Sequence, residues 1–367
     1  MSHVLQELTE SEDRYHSLVE HINDGVMLYQ SIDDGGDFVI LDINTAGERI
    51  TRFYKQQVVG KRVTEVFPGI RKLGLLEKLK QVYRTGSEGR NTYRFYTEAM
   101  TQAANERLIL ESRLRRAIEL DELSVYYQPL LNVMTQEIVG FEALVRWLDP
   151  DEGLILPDRF TPVAEETGSI SAIGEWVLET ACREVMDWRG KGGEPGILSV
   201  NLSGRQFHNQ RLAMHVSDIL DRSGMQASWL ELEITESVLM ELSEKTVRNL
   251  QELEKLGVRL SIDDFGTGYS SLAYLKRFKI DKLKIDQAFV RGVPGDASDV
   301  EITSTIIAMA KNLRIQVLAE GVENQQQLAF LQGQACDQYQ GYYYSKPLPA
   351  GEALQLLLKG GVEDIPG

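Results

Sequence analysis

Cysteine is scarce: the 367-residue chain has two, Cys182 and Cys336. Two thiols build neither a disulfide scaffold nor a Cys-rich zinc module. Long apolar runs are missing too. No stretch reaches the roughly 18 apolar residues of a membrane-spanning helix. The first residues, MSHVLQELTESEDRYH, hold no apolar core of a secretory signal. The expectation is a cytoplasmic protein without membrane insertion. Positive charge is also short, since 39 Lys and Arg against 55 Asp and Glu leave a net charge of −16. Sequence-blind binding to a nucleic acid polymer draws on Lys and Arg at phosphates, so that class is disfavoured. A phosphate ligand would need the local sign reversed, and bound cations do that.

What is present is globular. The apolar fraction of 43% and charged fraction of 26% are ordinary for a folded chain. The length fits two domains, one of them as large as a barrel of roughly 250 residues. Near the N-terminus, residues 14–22 are helical in spacing, and GVMLY (25–29) and FVILDI (38–43) read as strands. Between those strands DDGG (33–36) is a hairpin turn signal. A short helix opens at Asn44 and closes near VVGK (58–61) and VFP (66–68).

The order DGVMLY, ILDINTAGERITRF, VVGKRVTEVFP resembles the first half of a PAS domain over residues 10–85. A PAS fold continues with three more strands, but only NTYRFY (91–96) reads as one, so the unit looks cut short. GRNTYRFYTEAM (89–100) in turn resembles the exit of a GGDEF-type diguanylate cyclase domain, whose GGDEF signature is absent. The expected organisation is a truncated PAS-like sensor unit at 10–88, a GGDEF-exit remnant with connector helix at 89–120, and a barrel at 121–360. No cyclase activity is expected. In the connector, Leu110, Leu114 and Ala117 make either one packed stripe or the seam of a signalling coil. No cysteine lies in the PAS-like unit, and of the five histidines only His3, His16 and His21 are N-terminal. None of the three sits mid-pattern, so no bound cofactor is expected there.

Beyond residue 121, apolar strands alternate with helical stretches: SVYYQPLL, EIVGFEALVRW, GILSVNLS, LELEITES, VRLSIDDFG, KIDKLKID, IQVLAEGVE and CDQYQGYYY. Eight such strands predict an α/β fold, a (β/α)8 TIM-like barrel. Residues 132–137 are too few for a crossover helix, so the first two strands should pair antiparallel.

Polar residues close these strands at the end where barrel active sites sit: Glu142, Asn201, Glu233, Asp263, Asp264, Lys284, Glu320 and Gln340. One acid at a strand end is ordinarily a helix cap or a solvated loop residue. Five at equivalent ends would repel one another, and cations relieve that repulsion. Oxygen donors without Cys or His suit Mg2+ or Mn2+. The adjacent Asp263 and Asp264 could serve two ions, one bridging while its neighbour binds the second. Two cations roughly 3.5–4 Å apart would activate water and clamp a phosphodiester. Lys284 adds a fixed positive charge, or else is a salt-bridge partner of Asp281 or Asp286. The loop DDFGTGYSS (263–271) permits unusual backbone angles after the acids.

FEALVRW (141–147) resembles the signature of EAL-type cyclic di-GMP phosphodiesterases. The likeness extends in order through YYQP, LPDRFTPVAEETG, SVNLS, LELEITES, DDFGTGYSSL, KLKID, AEGVE and QGYYYSKP, over about two-thirds of the chain. The resemblance implies hydrolysis of cyclic di-GMP to linear pGpG with two Mg2+ or Mn2+ per site. It implies metal ligation by Glu142, Asn201, Glu233 and Asp263 for one ion, and by Asp263 and Asp264 with Glu320 for the other. Lys284, Glu320, Gln340 and Glu142 would be the catalytic set, and Arg146 would meet a substrate phosphate. Gln128, Leu144 and Glu323 would contact guanine or ribose, Glu236 would anchor the loop after Asp264, and the protein would be a homodimer. The other readings are a cyclic di-GMP receptor without turnover and a two-metal hydrolase of another phosphodiester.

Overall fold

The computed structural model describes residues 27–71, 76–77, 79–80, 110–118, 120, 122–240, 243–266, 275 and 278–359. The helical reading of 14–22, the cyclase-like segment 89–100, most of the connector and most of the glycine-rich loop lie outside these residues. The chain divides into two compact units, 1–110 and 111–367.

In the first unit, β1 (Met27–Ile32) and β2 (Asp37–Ile43) form an antiparallel hairpin around a one-turn 3-10 helix at Asp33–Gly35. The turn falls where the Asp-Gly cluster predicts it, and β1 runs three residues further than expected. Helix α1 (Thr45–Thr51) starts at Asn44, whose side chain accepts a bond from the Gly47 amide at 2.8 Å. Phe38, Ile40, Ile43, Val58, Val63, Ile70 and Leu76 make a small core.

The second unit is a closed barrel. Its first strands, β3 (Leu123–Asn132) and β4 (Ile138–Asp149), are antiparallel, as the short connection requires. From β4 the sheet continues in parallel through β6 (Ile197–Asn201), β7 (Leu230–Thr235) and β8 (Arg259–Phe265). It goes on through β9 (Lys282–Ile285), β10 (Gln316–Ala319) and β11 (Gln338–Tyr339). β11 then pairs antiparallel with β3, closing eight strands. Two short strands flank this ring: β5 (Gly153–Ile155) on β4 and β12 (Leu348–Pro349) on β3. Neither is among the eight strands expected from the sequence. The strand expected over CDQYQGYYY shrinks to two residues.

Helices α2 (Pro157–Thr167) and α3 (Ile170–Gly190) lead to β6, and α4 (Leu212–Ser223) leads to β7. Helix α5 (Glu244–Leu256) leads to β8, α6 (Ala297–Leu313) to β10 and α7 (Gln325–Gly333) to β11. Helix α8 (Ala350–Leu358) follows β12. Helix α5 shows how the sequence marks both ends. Ser243 accepts from the Thr246 amide, and Gly257 takes the left-handed φ of 87° that a side chain would resist. The barrel wall meets α3 through Trp188, whose ring packs edge-on against Tyr127 and Phe141 at 4.7 and 5.4 Å. Leu110, Leu114 and Ala117 of the connector are each buried. Among the described residues no helix is long and apolar enough to cross a membrane.

Candidate active site

The strand polarity gathers the carboxylates. β7, β8, β9 and β10 run parallel with β4, so residues toward their C-terminal ends share one rim; Glu142 does not close its strand as expected but is the fifth residue of the twelve-residue β4, opposite Ser199 of β6. Alternation adds to this: Glu142, Leu144 and Arg146 are two residues apart on β4 and share one face of it.

Lys284 stands at the centre with its side chain 1% exposed. Its Nζ lies 2.5 Å from Glu233, 2.9 Å from Glu320, 3.2 Å from Asp263 and 3.5 Å from Glu142. Asp281 and Asp286 are not its partners. Asp281 instead accepts the Leu260 amide at 3.0 Å, and Asp286 caps the turn at Ala288. The salt-bridge alternative therefore fails on its named partners, because Lys284 points into the barrel and not back along its own strand. Burial alone would lower the ammonium's pKa, but the ring of acids more than offsets it and holds the value well above normal. The same burial raises Glu233 well above the usual carboxylate range and pushes Glu320 up to about 8.

Glu142 is fixed from two sides. Asn201 Nδ2 donates to Oε1 at 2.6 Å, and Gln340 Nε2 donates to Oε2 at 2.6 Å. Gln340 also reaches Gln128 Oε1 at 2.8 Å, while Gln128 donates to the Ser345 carbonyl at 3.1 Å. Gln128 and Glu142 are opposite each other in the β3–β4 ladder.

Neighbouring residues in a strand ordinarily point to opposite faces. Asp263 and Asp264 escape this because Asp264 takes a left-handed φ of 54° and the pairing of β8 with β9 shifts register there. Oxygen atoms of Asp263, Asp264 and Glu320 consequently lie within 4.8 Å of one another. Partial desolvation, with the Asp263 charge beside it, pushes Asp264 up to about 6. Glu236 accepts the Gly266 amide at 3.2 Å, so it grips the chain where the loop begins.

The residue set fits hard divalent cations on two observations. Four carboxylates share one buried ammonium, which leaves excess negative charge. Buried Glu233 Oε1 and Gln340 Oε1 have no hydrogen-bond partner, as expected of oxygens that await a cation or water.

Three predicted residues are not tied into this cluster by a hydrogen bond. Arg146 is buried, donates to the Val145 carbonyl at 2.9 Å and lies 5.7 Å from the Tyr126 ring centre. Leu144 is half-buried and Glu323 is exposed. A second ionic layer, absent from the sequence expectations, lies beneath the first. Lys282 Nζ bonds Glu231 at 2.6 Å, and Ser199 donates to the same carboxylate at 2.8 Å. Glu231 and Lys282 each precede a site residue by two positions, and that spacing was the available signal.

The EAL domain profile matches residues 111–347, and a PAS domain profile matches residues 13–82. The chain is 44% identical over 261 residues to Cyclic di-GMP phosphodiesterase NbdA of Pseudomonas aeruginosa, which is 71% of this chain and 33% of that one. The curated relatives are longer proteins, and the chain spans 33% to 40% of the first few. Among solved structures, the PaMucR phosphodiesterase in complex with c-di-GMP is 42% identical with a TM-score of 0.65, over 66% of this chain and 99% of that one. The EAL enzyme Bd1971, with cAMP and cyclic-di-GMP bound, is 27% identical with a TM-score of 0.67, over 91% and 93%. An acid-rimmed barrel, its antiparallel first pair and a profile match across the whole of it agree: the chain belongs to the EAL domain family.

Proposed function

We propose that the chain hydrolyses cyclic di-GMP to linear pGpG. The observation that carries this reading is the placement of Lys284 Nζ within 3.5 Å of four rim carboxylates, beside the paired Asp263 and Asp264. Relatives named as cyclic di-GMP phosphodiesterases support it.

Glu142, Asn201, Glu233 and Asp263 would hold one divalent cation, and Asp263, Asp264 and Glu320 a second, with Mg2+ or Mn2+ as candidates. Such ions, once bound, would acidify water and neutralise phosphoryl charge. Lys284 orients the attacking water and faces the charge that develops on phosphorus. Glu320 takes the water's proton. Its value near 8 belongs to the metal-free site, and adjacent cations would lower it until the carboxylate is an ionised acceptor at neutral pH. Water oxygen bonds to phosphorus as the bond from phosphorus to the 3′ oxygen breaks, which leaves the phosphate on the 5′ side and gives pGpG. Gln340 holds Glu142 in place and is itself held by Gln128. Arg146 contacts a substrate phosphate, and Gln128, Leu144 and Glu323 contact guanine or ribose.

The same proposal extends to organisation. We take residues 10–88 as a shortened PAS-like sensor, 89–120 as a cyclase-exit remnant with connector, and 121–360 as the catalytic barrel, in a cytoplasmic homodimer. Substitution tests the site: Glu142→Ala and Asp263→Ala should each abolish pGpG formation and weaken Mn2+ binding by calorimetry. Unchanged hydrolysis in either variant would refute the assignment.

A further inference from the structure

A cavity of about 420 Å3 opens beside the starts of β8, β9 and β10, at the barrel end opposite the acid rim. Arg259 and Gln316 are the first residues of β8 and β10, and Asp281 immediately precedes β9. Asp263 lies four residues further along β8 than Arg259, or roughly 13 Å at strand rise. The two sites are therefore separate.

The lining combines cations with apolar wall. Among the described lining residues, Arg259, Lys279 and Arg314 face a single acid, Asp281. That acid is already engaged by the Leu260 amide. Arg259 is partly committed as well, to Glu231 at 3.5 Å and to Gln316 Oε1 at 2.7 Å. Lys279 and Arg314 are both exposed and make no ion pair with the described residues. Phe278, Ile280 and Ile315 are buried and supply the wall. In a chain of net charge −16, Lys279 belongs to a locally basic run, Lys276-Arg277-Phe278-Lys279, and Arg314 adds a further cation to the lining. The volume is that of a small-molecule pocket.

We propose that this cavity binds a phosphate monoester with an apolar or aromatic body. Arg314 and Lys279 would hold the phosphate, with the fork of the guanidinium matching two phosphate oxygens. The body would lie against Phe278 and Ile315. Binding here is independent of hydrolysis at the rim.

The test is calorimetry on the full chain with Mg2+, using phenyl phosphate, inorganic phosphate and phenol as probes. Phenyl phosphate should bind at least tenfold more tightly than either fragment. The Lys279→Ala/Arg314→Ala double variant should lose at least tenfold of that affinity, and Asp263→Ala should keep it. The double variant should also retain basal hydrolysis of cyclic di-GMP. No binding, equal binding of inorganic phosphate, or binding lost in Asp263→Ala but kept in the double variant would each overturn the proposal. Circular dichroism of each variant separates lost binding from lost fold.

Discussion

Lys284 carries one positive charge for Glu142, Glu233, Asp263 and Glu320. Removing it leaves the surrounding carboxyls without their shared counter-charge, and breaking a buried ion pair ordinarily costs about 3–5 kcal/mol. Lys284→Met should therefore lower the melting temperature in chelator and cut turnover by about 100-fold or more. Added Mg2+ should raise the melting temperature more in this variant than in the parent, because cations then replace the lost charge. Equal shifts would argue against a shared charge balance. The pH dependence of the site has a definite sign. In the metal-free protein Glu320 titrates near 8 and Asp264 near 6. Both are raised, so below those values each holds a proton that a cation must displace. Mn2+ affinity should fall as pH drops from about 8 to 6, with proton release measurable by calorimetry in buffers of different ionisation heat. A flat profile would contradict this ordering.

Elements set these residues in place, and some of that setting was legible in the sequence. The alternation of strand and helix, and acids closing successive strands, were enough to foresee the barrel and its rim. The short link between β3 and β4 was enough to foresee their antiparallel pairing. Other features hide from periodicity. β5 and β12 are only three and two residues long, and such lengths leave no period to read. The bulge that turns Asp263 and Asp264 to one side depends on a left-handed Asp264, which no pattern of apolar residues encodes. The link from Gln128 through Gln340 to Glu142 is not legible in the sequence, since β3 and β11 are neighbours only through barrel closure. Gly341 marks a tight passage next to Gln340. A Cβ built on it would lie 2.1 Å from the Val322 carbonyl oxygen, a backbone atom with little room to give. Gly341→Ala should therefore destabilise by about 1–3 kcal/mol in denaturant unfolding. It should also move Gln340 off Glu142 and raise KM or lower kcat. A neutral effect on both would show that the strand end relaxes freely.

At the scale of the whole molecule, the charge of −16 and the chemistry converge. An anionic dinucleotide would enter an acidic barrel only where cations cover the rim, so activity should vanish in chelator. Mg2+ should also raise the melting temperature in a concentration-dependent way, as any ligand of the folded state does. Ca2+ prefers six to eight oxygen ligands at longer distances, so it should bind and inhibit, and robust Ca2+-driven turnover would count against a compact pair of sites. A visible absorption band in the purified chain would contradict the view that the PAS-like unit holds no chromophore. The most direct measurement is chromatography of cyclic di-GMP incubated with the full chain in Mg2+ and, separately, in Mn2+, alongside Asp263→Ala. The parent chain should convert cyclic di-GMP to linear pGpG and the variant should not. Cyclic di-GMP bound tightly but recovered intact in both metals would contradict this and identify the barrel as a receptor.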